Sequence, residues 1–313
     1  MELMLPFPAI PSNVRIKHGD EVILLGSCFA DSMAEHFQIN GFSTTSNPFG
    51  TIFHPLALAD VLESSLSDET HIDLHQRDDL YFSWDSSSKI YGMSSEELEH
   101  NVLNARKNFR ERLVSAKLIV ITFGTSWGYV HTLLNNLVAN CHKERKELFN
   151  KELSSVDAMT TRWKETIGLL KEMNSDVQVV FSVSPVRHSK DGLIDNNRSK
   201  ARLIEAAHEL CDNAKASYFP AYELVIDQLR DYRFFKRDLV HPSGIAVSHV
   251  WDFFQDTYFS SETKLLAEKV KKINTSLQHK QHHPESINSE QHLQRSLEAQ
   301  RRIEEGHPYI YWM

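Results

Sequence analysis

Four short stretches of the chain are continuously apolar, and segments of helical periodicity lie between them. The stretches cover residues 22–26, 118–123, 177–183 and about 216–219, and branched or aromatic side chains are frequent in them. A strand that faces water on one side alternates between apolar and polar residues, whereas a strand covered on both faces is apolar throughout. The pattern therefore predicts a buried parallel sheet.

The segments between these stretches have the apolar spacing of surface helices. A capping box formed by Ser94 and Glu97 predicts a helix that runs towards Leu113. Four further apolar stripes recur at helical spacing: Ala30/Met33/Ala34/Phe37, Trp163/Ile167/Leu170, Leu203/Ile204/Ala207/Cys211 and Val247/Val250/Trp251/Phe254. Alternation of strands and helices predicts an α/β sandwich, whose functional groups collect beyond the carboxyl ends of the strands.

Two regions depart from this alternation. Aromatic segments at 81–84 and 89–91 flank a polar turn at 85–88, which predicts a small hairpin inserted near residues 80–91. From residue 260 the chain is rich in Lys, Glu, Gln and His, and it predicts two charged helices around His282-His283-Pro284. We therefore expect an α/β domain over residues 1–259 and a helical extension over 260–313.

Charge and composition exclude several classes of protein. The net charge of −8, without a long basic block, argues against nucleic acid or an anionic membrane as a partner. Three widely spaced cysteines argue against a disulfide framework. No apolar run is long enough to cross a bilayer, and residues 1–15 lack the pattern of a secretory leader, so we expect a cytoplasmic protein.

A serine occupies the turn between the first predicted strand and its helix, in Gly26-Ser27-Cys28-Phe29-Ala30. Free backbone N–H groups and the positive end of the helix dipole lie beside such a residue. These groups suit a nucleophile, because acyl transfer places negative charge on the carbonyl oxygen that is attacked. Two alternatives are that Ser27 only caps the helix and that Cys28 is the nucleophile.

A serine nucleophile needs a base and a group that orients the base. The best candidate base is His241, just before the last major predicted helix of the sandwich. Asp238 lies three residues earlier, and on a loop this spacing lets its carboxylate accept the Nδ1 proton of the imidazole. The alternative is that Asp238 pairs with a surface cation such as Arg237.

Several segments in order along residues 23–254 resemble the GSCFA family, which is related to the SGNH/GDSL hydrolases. The family takes its name from the string at residues 26–30. The other similar segments are Asn47-Pro48-Phe49-Gly50-Thr51, Thr122-Phe123-Gly124-Thr125-Ser126-Trp127, Asn140-Cys141-His142-Lys143, Ser184-Pro185-Val186-Arg187-His188, Tyr218-Phe219-Pro220-Ala221-Tyr222-Glu223 and Leu229-Arg230-Asp231-Tyr232-Arg233-Phe234-Phe235.

The resemblance implies a three-layer α/β/α sandwich around a parallel sheet, with an ester-cleaving or acyl-transferring site. It makes Ser27 the first-block serine, Asp238 and His241 the last-block pair, and Gly50 the second-block glycine. The backbone N–H groups of Ser27 and Gly50 are then oxyanion donors; the alternative for Gly50 is that it only serves a turn, where glycine is permissive. SGNH enzymes have an asparagine where this chain has Ser126, so the third donor is absent or is replaced by the Ser126 hydroxyl, Asn47 or a backbone N–H. Loss of one such donor lowers the rate by about a hundredfold or more.

Three residues are candidates for substrate binding: Asn47, His142 and Arg187. Arg187 follows the strand at 177–183 and suits an anionic group on the substrate, or it braces the loop through a salt bridge. Cys141 and His142 alone do not make a zinc site, and they are structural or form a wall on the substrate side.

The sequence favours a serine-dependent ester hydrolase or acyltransferase that acts on a small-molecule or glycan O-acyl ester and requires no metal or organic cofactor. The alternative function is a binding module of the same fold, with a weakened site, that recognises an acylated glycan or a partner protein. The least favoured alternative is an enzyme that uses Cys28.

Overall fold

The computed structural model describes residues 4–67, 71–214, 216–278 and 287–313. The strands are β1 (Glu21–Gly26), β2 (Thr44–Ser46), β3 (His75–Arg77), β4 (Leu80–Phe82), β5 (Ala116–Phe123), β6 (Trp127–His131), β7 (Leu137–Val138), β8 (Phe149–Leu153), β9 (Gln178–Val183) and β10 (Ser217–Phe219). The helices are α1 (Cys28–Ile39), α2 (Pro55–Leu66), α3 (Ser95–Ser115), α4 (Val156–Met173), α5 (Gly192–Ala214), α6 (Ala221–Glu223), α7 (Gly244–Tyr258), α8 (Ser261–Gln278) and α9 (Ile287–Gly306).

Five strands form a parallel sheet in the order β10-β9-β5-β1-β2. Four of them are the strands predicted from continuous apolar runs, so the prediction of a parallel α/β fold is confirmed. The fifth, β2, escaped the prediction because Thr44-Thr45-Ser46 is short and polar, which suits its place at the edge of the sheet.

The side chains of the sheet alternate between two apolar cores. Ile23, Leu25, Ile119 and Ile121 point into a core shared with α2, α3, α4 and α5. Their neighbours Val22, Leu24, Leu118 and Val120 point to the opposite face, where α1 and α7 cover them. The sheet is therefore the middle layer of an α/β/α sandwich, as expected for strands buried on both faces.

Residues between the main strands form two smaller sheets. β3 and β4 make an antiparallel hairpin over residues 75–82. The hairpin predicted near residues 80–91 was therefore placed too far towards the C-terminus. Its expected second strand at 89–91 does not form, and Tyr81 instead makes a single bridge to Gly92. β6, β7 and β8 form an antiparallel sheet in the order β7-β6-β8, which the sequence did not predict.

The C-terminal residues include the two predicted helices. The Asn274 side chain of α8 donates to the Ile39 carbonyl at the end of α1 at 3.0 Å, and Ala267 joins the core beneath α1. Ser276 and Ser296 connect α8 with α9 at 2.7 Å. His282-His283-Pro284 lies outside the described residues. Within the part of the chain described, no helix is long and apolar enough to cross a membrane.

Candidate active site

The turn after β1 can be made only by glycine. Gly26 has φ +108°, and a Cβ at this position would lie 2.2 Å from the Thr122 carbonyl oxygen. The next residue, Ser27, donates its N–H to the same oxygen at 3.0 Å. The close approach of β1 and β5 therefore fixes where the Ser27 side chain is placed.

Ser27 is the N-cap of α1. Its Oγ accepts the Phe29 N–H at 3.2 Å, and the residue is only 1% exposed. The expected capping geometry is thus present, and it leaves the hydroxyl proton without an acceptor among the described residues. A hydroxyl in this state can still give its proton to a base that reaches it.

Asn47 braces this turn from the side. Its Oδ1 accepts the Gly26 N–H at 2.8 Å, and its Nδ2 donates to Asp31 at 2.9 Å and to the Ser27 carbonyl at 3.4 Å. The side chain is buried, and its amide is occupied by protein partners. In this conformation Asn47 positions the turn and has no free donor for a substrate.

Gly50 and Ser126 are both occupied within the protein. The Gly50 N–H donates to the Asn47 carbonyl at 2.7 Å, in a turn where φ is +72° and Ser87 packs against the glycine. The Ser126 hydroxyl, which is fully buried, donates to the Ser199 carbonyl at 3.2 Å. Neither expected oxyanion donor points to open space in this conformation, and the Ser27 N–H is bound to Thr122.

Asp238 and His241 form the contact that their spacing predicts. Asp238 Oδ2 lies 2.8 Å from His241 Nδ1, while Oδ1 accepts the backbone N–H groups of Val240 and His241 at 2.9 and 3.0 Å. These hydrogen bonds lower the pKa of Asp238 to about 2. The bond from the His241 backbone N–H has the largest effect, followed by the bond from the Val240 N–H and then by the bond from the His241 imidazole. The carboxylate therefore stays charged near neutral pH, and the His241 Nε2 is left without a hydrogen-bond partner among the described residues.

Ser27 and His241 lie on loops at the same end of the sheet, beyond the carboxyl ends of its strands. Ser27 is bound to Thr122 near the end of β5, and beyond β9 the Arg187 N–H donates to the Val240 carbonyl at 3.2 Å. No hydrogen bond joins Ser27 and His241 in the described chain. The His241 side chain is 42% exposed, whereas Ser27 is 1% exposed.

Arg187 braces the His241 loop without an acidic partner among the described residues. Its guanidinium lies 3.9 Å from the Phe235 ring centre and 5.3 Å from that of Tyr232, and Nη1 donates to the Leu239 carbonyl at 3.0 Å. The expected salt bridge is replaced by cation–π contacts. The guanidinium makes one hydrogen bond to the described residues, so its other N–H donors are available to a ligand.

His142 is fixed by contacts within the inserted region. Its Nε2 lies 2.9 Å from the Ser83 carbonyl and 3.1 Å from that of Ser86, and its ring stacks on Phe82 at 4.4 Å. Burial raises the pKa of the adjacent Cys141 thiol to about 11. The three cysteines are free, and the described residues contain no cluster of metal ligands.

The sequence interpretation missed Lys200. This side chain is buried on α5, and its Nζ donates to the carbonyls of Gly124 and Ser184 at 2.6 and 2.7 Å, which ties the ends of β5 and β9 together. Burial lowers the pKa of Lys200 to about 7, against an opposing effect of Cys28. The sequence does contain a signal that this lysine is buried. Lys200 precedes Leu203 by three residues and Ala207 by seven, and it thus lies on the apolar stripe of its helix.

His188 connects these groups electrostatically. Burial, followed by the charge of Lys200, lowers the pKa of His188 to about 4, and His241 acts in the same direction. Its ring packs edge-on against Phe53 at 5.5 Å. Titratable groups whose pKa values are shifted in this way are typical of functional sites.

The GSCFA family model matches residues 21–254 of the 313. The chain belongs to the GSCFA family. The matched span includes the GSCFA string itself, Lys200 and the Asp238–His241 pair, and it ends within α7.

Comparison with other proteins adds little to the family assignment. No curated protein matches the chain. One crystal structure aligns with a TM-score of 0.39 at 12% identity, over 76% of this chain and 96% of that chain. The periplasmic domain of a lipopolysaccharide acetyltransferase from Salmonella ser. Paratyphi A aligns with a TM-score of 0.36 at 10% identity, over 77% of this chain and 84% of that domain.

Proposed function

We propose that this GSCFA protein is a serine-dependent ester hydrolase or acyltransferase related to the SGNH/GDSL enzymes. The observation that carries the proposal is the Asp238–His241 pair, exposed at the same sheet edge as the Ser27 turn. Asp238 occupies Nδ1, which leaves Nε2 as the basic nitrogen that a serine nucleophile requires. The acyl group is carried by a small-molecule or glycan O-acyl ester.

In the proposed reaction, Ser27 Oγ bonds to the ester carbonyl carbon while His241 Nε2 takes the hydroxyl proton. The imidazolium, stabilised by Asp238, then gives this proton to the departing alcohol oxygen as the carbon–oxygen bond breaks. Water or an acceptor alcohol attacks the acyl-enzyme with His241 as base, and Ser27 is released. The Ser27 side chain and the His241 loop must move towards each other before these steps can occur.

The oxyanion requires donors other than Gly50 and Ser126 in their present conformation. The Cys28 N–H is the first of α1 and has no carbonyl acceptor among the described residues, and it stands at the positive end of the helix dipole. Lys200, whose pKa of about 7 leaves part of it protonated near neutral pH, adds positive charge near Cys28 in that protonated form. We assign stabilisation of the oxyanion to this end of α1.

Cys28 is disfavoured as the nucleophile. Burial and then the nearby charge of Asp31 raise the pKa of its thiol, against weaker opposing effects that include Lys236 and Lys200. A raised pKa reduces the thiolate fraction near neutral pH, whereas cysteine enzymes lower it.

The test combines turnover of p-nitrophenyl acetate with labelling by a fluorophosphonate. We expect S27A to lose labelling and to lower the rate by at least about a thousandfold, and C28A, its neighbour, to keep both the labelling and the rate.

D238N should lower the rate by about a hundredfold or more, because the imidazole loses its orienting charge. The matched control is D231N, which removes an exposed carboxylate bound to Arg233 in the same region. Labelling that persists in S27A but disappears in C28A would assign the chemistry to cysteine.

A binding module is the second candidate function. It is favoured by the burial of Ser27 and by the occupied donors of Gly50 and Ser126. Absence of both turnover and labelling in the intact protein, together with binding of an acylated glycan, would support it over the enzyme.

A further inference from the structure

A cavity of about 600 Å³ lies between the β3–β4 hairpin and the loop that follows β7. Its volume is that of a site for a small ligand. The site chemistry proposed above uses none of its lining residues. His142, which the sequence marked as a candidate for substrate binding, forms part of its wall.

One wall of the cavity is apolar and partly exposed. Tyr91 and Met93 have 48% and 56% of their surface accessible, although both are large apolar residues. Beneath them Phe82 is buried and stacked on His142, whose Nε2 is fixed by two carbonyls. Phe82 and His142 are therefore held rigidly, and Tyr91 contributes an aromatic ring to the lining of the cavity.

The polar groups of the cavity are mainly donors. Lys143 has no ion-pair partner among the described residues. Arg77 donates to the His142 carbonyl, and its Nε lies 3.8 Å from Asp78 Oδ2. Asn140 uses its Oδ1 to accept the His142 N–H at 2.7 Å, which leaves its NH₂ group free to donate. Two cationic side chains, Arg77 and Lys143, thus face one carboxylate, Asp79, in the lining. In a chain with a net charge of −8, such a lining favours a ligand that is rich in oxygen and negatively charged.

The backbone that presents Lys143 is strained. His142 and Lys143 have φ values of 45° and 59°, two consecutive non-glycine residues in the left-handed region. Each such residue costs about 1 kcal/mol or more, and strain of this kind is concentrated at ligand and catalytic sites. The strain therefore points to a functional reason for holding the ammonium at this place.

The loop at residues 83–90 connects the cavity with the Ser27 turn. Ser88 lines the cavity, Ser87 packs against Gly50, and Lys89 lies 4.0 Å from Asp31 in the first turn of α1. A ligand held in the cavity can thus belong to a molecule whose other end reaches the Ser27 edge.

We propose that the cavity binds a carboxylate-bearing sugar, such as a uronic acid, in the glycan whose ester group is cleaved or transferred. The Tyr91 ring stacks on the sugar face, the Lys143 ammonium pairs with the carboxylate, and Arg77 and Asn140 donate to hydroxyl oxygens. Asp79, also in the lining, accepts from a sugar hydroxyl. Binding in the cavity stands by itself, while the link to the ester rests on the proposed function.

The test is calorimetric titration of the full chain, carrying S27A, with trigalacturonate and with neutral maltotriose. We expect trigalacturonate to bind at least about tenfold more tightly than maltotriose, and its binding to weaken in higher salt. K143Q and Y91A should each weaken trigalacturonate binding by about tenfold. K146Q, which removes an exposed charge outside the cavity, should leave it unchanged.

Equal affinity for the two sugars, equal affinity in K143Q, or no trigalacturonate binding at millimolar concentration would overturn the proposal. The readout does not depend on turnover. Binding by a protein that proves unable to hydrolyse or transfer any ester would leave the cavity assignment intact and remove the catalytic one. Turnover of an ester without binding of the sugar acid would leave the catalytic assignment intact and remove the cavity assignment.

Discussion

Side-chain contacts of the candidate site could be predicted from the sequence where they are local in the chain. The Asp238–His241 contact spans three residues, so the loop alone brings the two groups together. The Gly50 N–H is also bound locally, by the Asn47 carbonyl. By contrast, Ser199 binds the Ser126 hydroxyl and Ser87 packs against Gly50, and these two serines are distant in sequence and reach their positions only through the tertiary fold. The sequence motifs marked candidate residues, but they did not predict that the Ser126 hydroxyl is bound within the protein.

The geometry at Gly26 gives a prediction with an internal control. G26A should destabilise the protein by more than about 3 kcal/mol, because the methyl group meets the Thr122 carbonyl and φ is unfavourable. G168A, on the exposed face of α4 with no atom within 4 Å of the new Cβ, should stabilise it by about 0.5–1 kcal/mol.

Denaturant unfolding of both variants, followed by circular dichroism, is the measurement. A G26A protein as stable as the parent would show that β1 and β5 can separate at the turn. The argument that this contact fixes Ser27 would then be wrong.

At the level of elements, continuous apolar runs predicted the central strands because both faces of each strand are covered. The antiparallel sheet of β6, β7 and β8 was missed because strands such as β8 are largely exposed and polar. Lys200 shows a different limit. A lysine on an apolar stripe was visible in α5, but its carbonyl partners at the ends of two strands were not.

Burial of Lys200 should make stability depend on pH. Its folded pKa of about 7 lies below the ordinary value of 10.5, so the unfolded chain binds more protons between these values. The free energy of unfolding should therefore rise with pH across this window, by at most about 1.4 kcal/mol per pH unit from this group.

Urea unfolding at several pH values between 7 and 10 measures this effect. K200M should lose the Lys200 contribution to the slope, whereas K190M, which removes an exposed lysine in the segment after β9, should keep it. A K200M protein with the parental slope would show that another group causes it.

At the scale of the whole molecule, several histidines are wholly or partly buried in their neutral form. Burial is the main cause that lowers the pKa of His36, His54 and His188 to about 4. The unfolded chain takes up protons on these groups at higher pH than the folded protein does. The free energy of unfolding should therefore fall as the pH drops from about 6.5 to about 4.

His36 allows a direct test of this acid sensitivity. Its Nδ1 is buried without a partner, and its ring stacks near Trp251 at 5.6 Å. H36F should keep the stacking, remove the titrating group and reduce the loss of stability between pH 6.5 and 4, as measured by thermal unfolding. An unchanged or steeper loss would contradict the assignment.

The position of α8 has a consequence for dissecting the protein. The family match stops inside α7, yet Ala267 and Asn274 of α8 contact the underside and the last turn of α1, and the Tyr311 N–H is bound to the Gly41 carbonyl. A fragment cut to residues 21–254, the span matched by the family model, would uncover the far end of the helix that Ser27 begins. Loss of function in such a fragment would then report a loosened scaffold, and the chemistry should be judged on the longer chain.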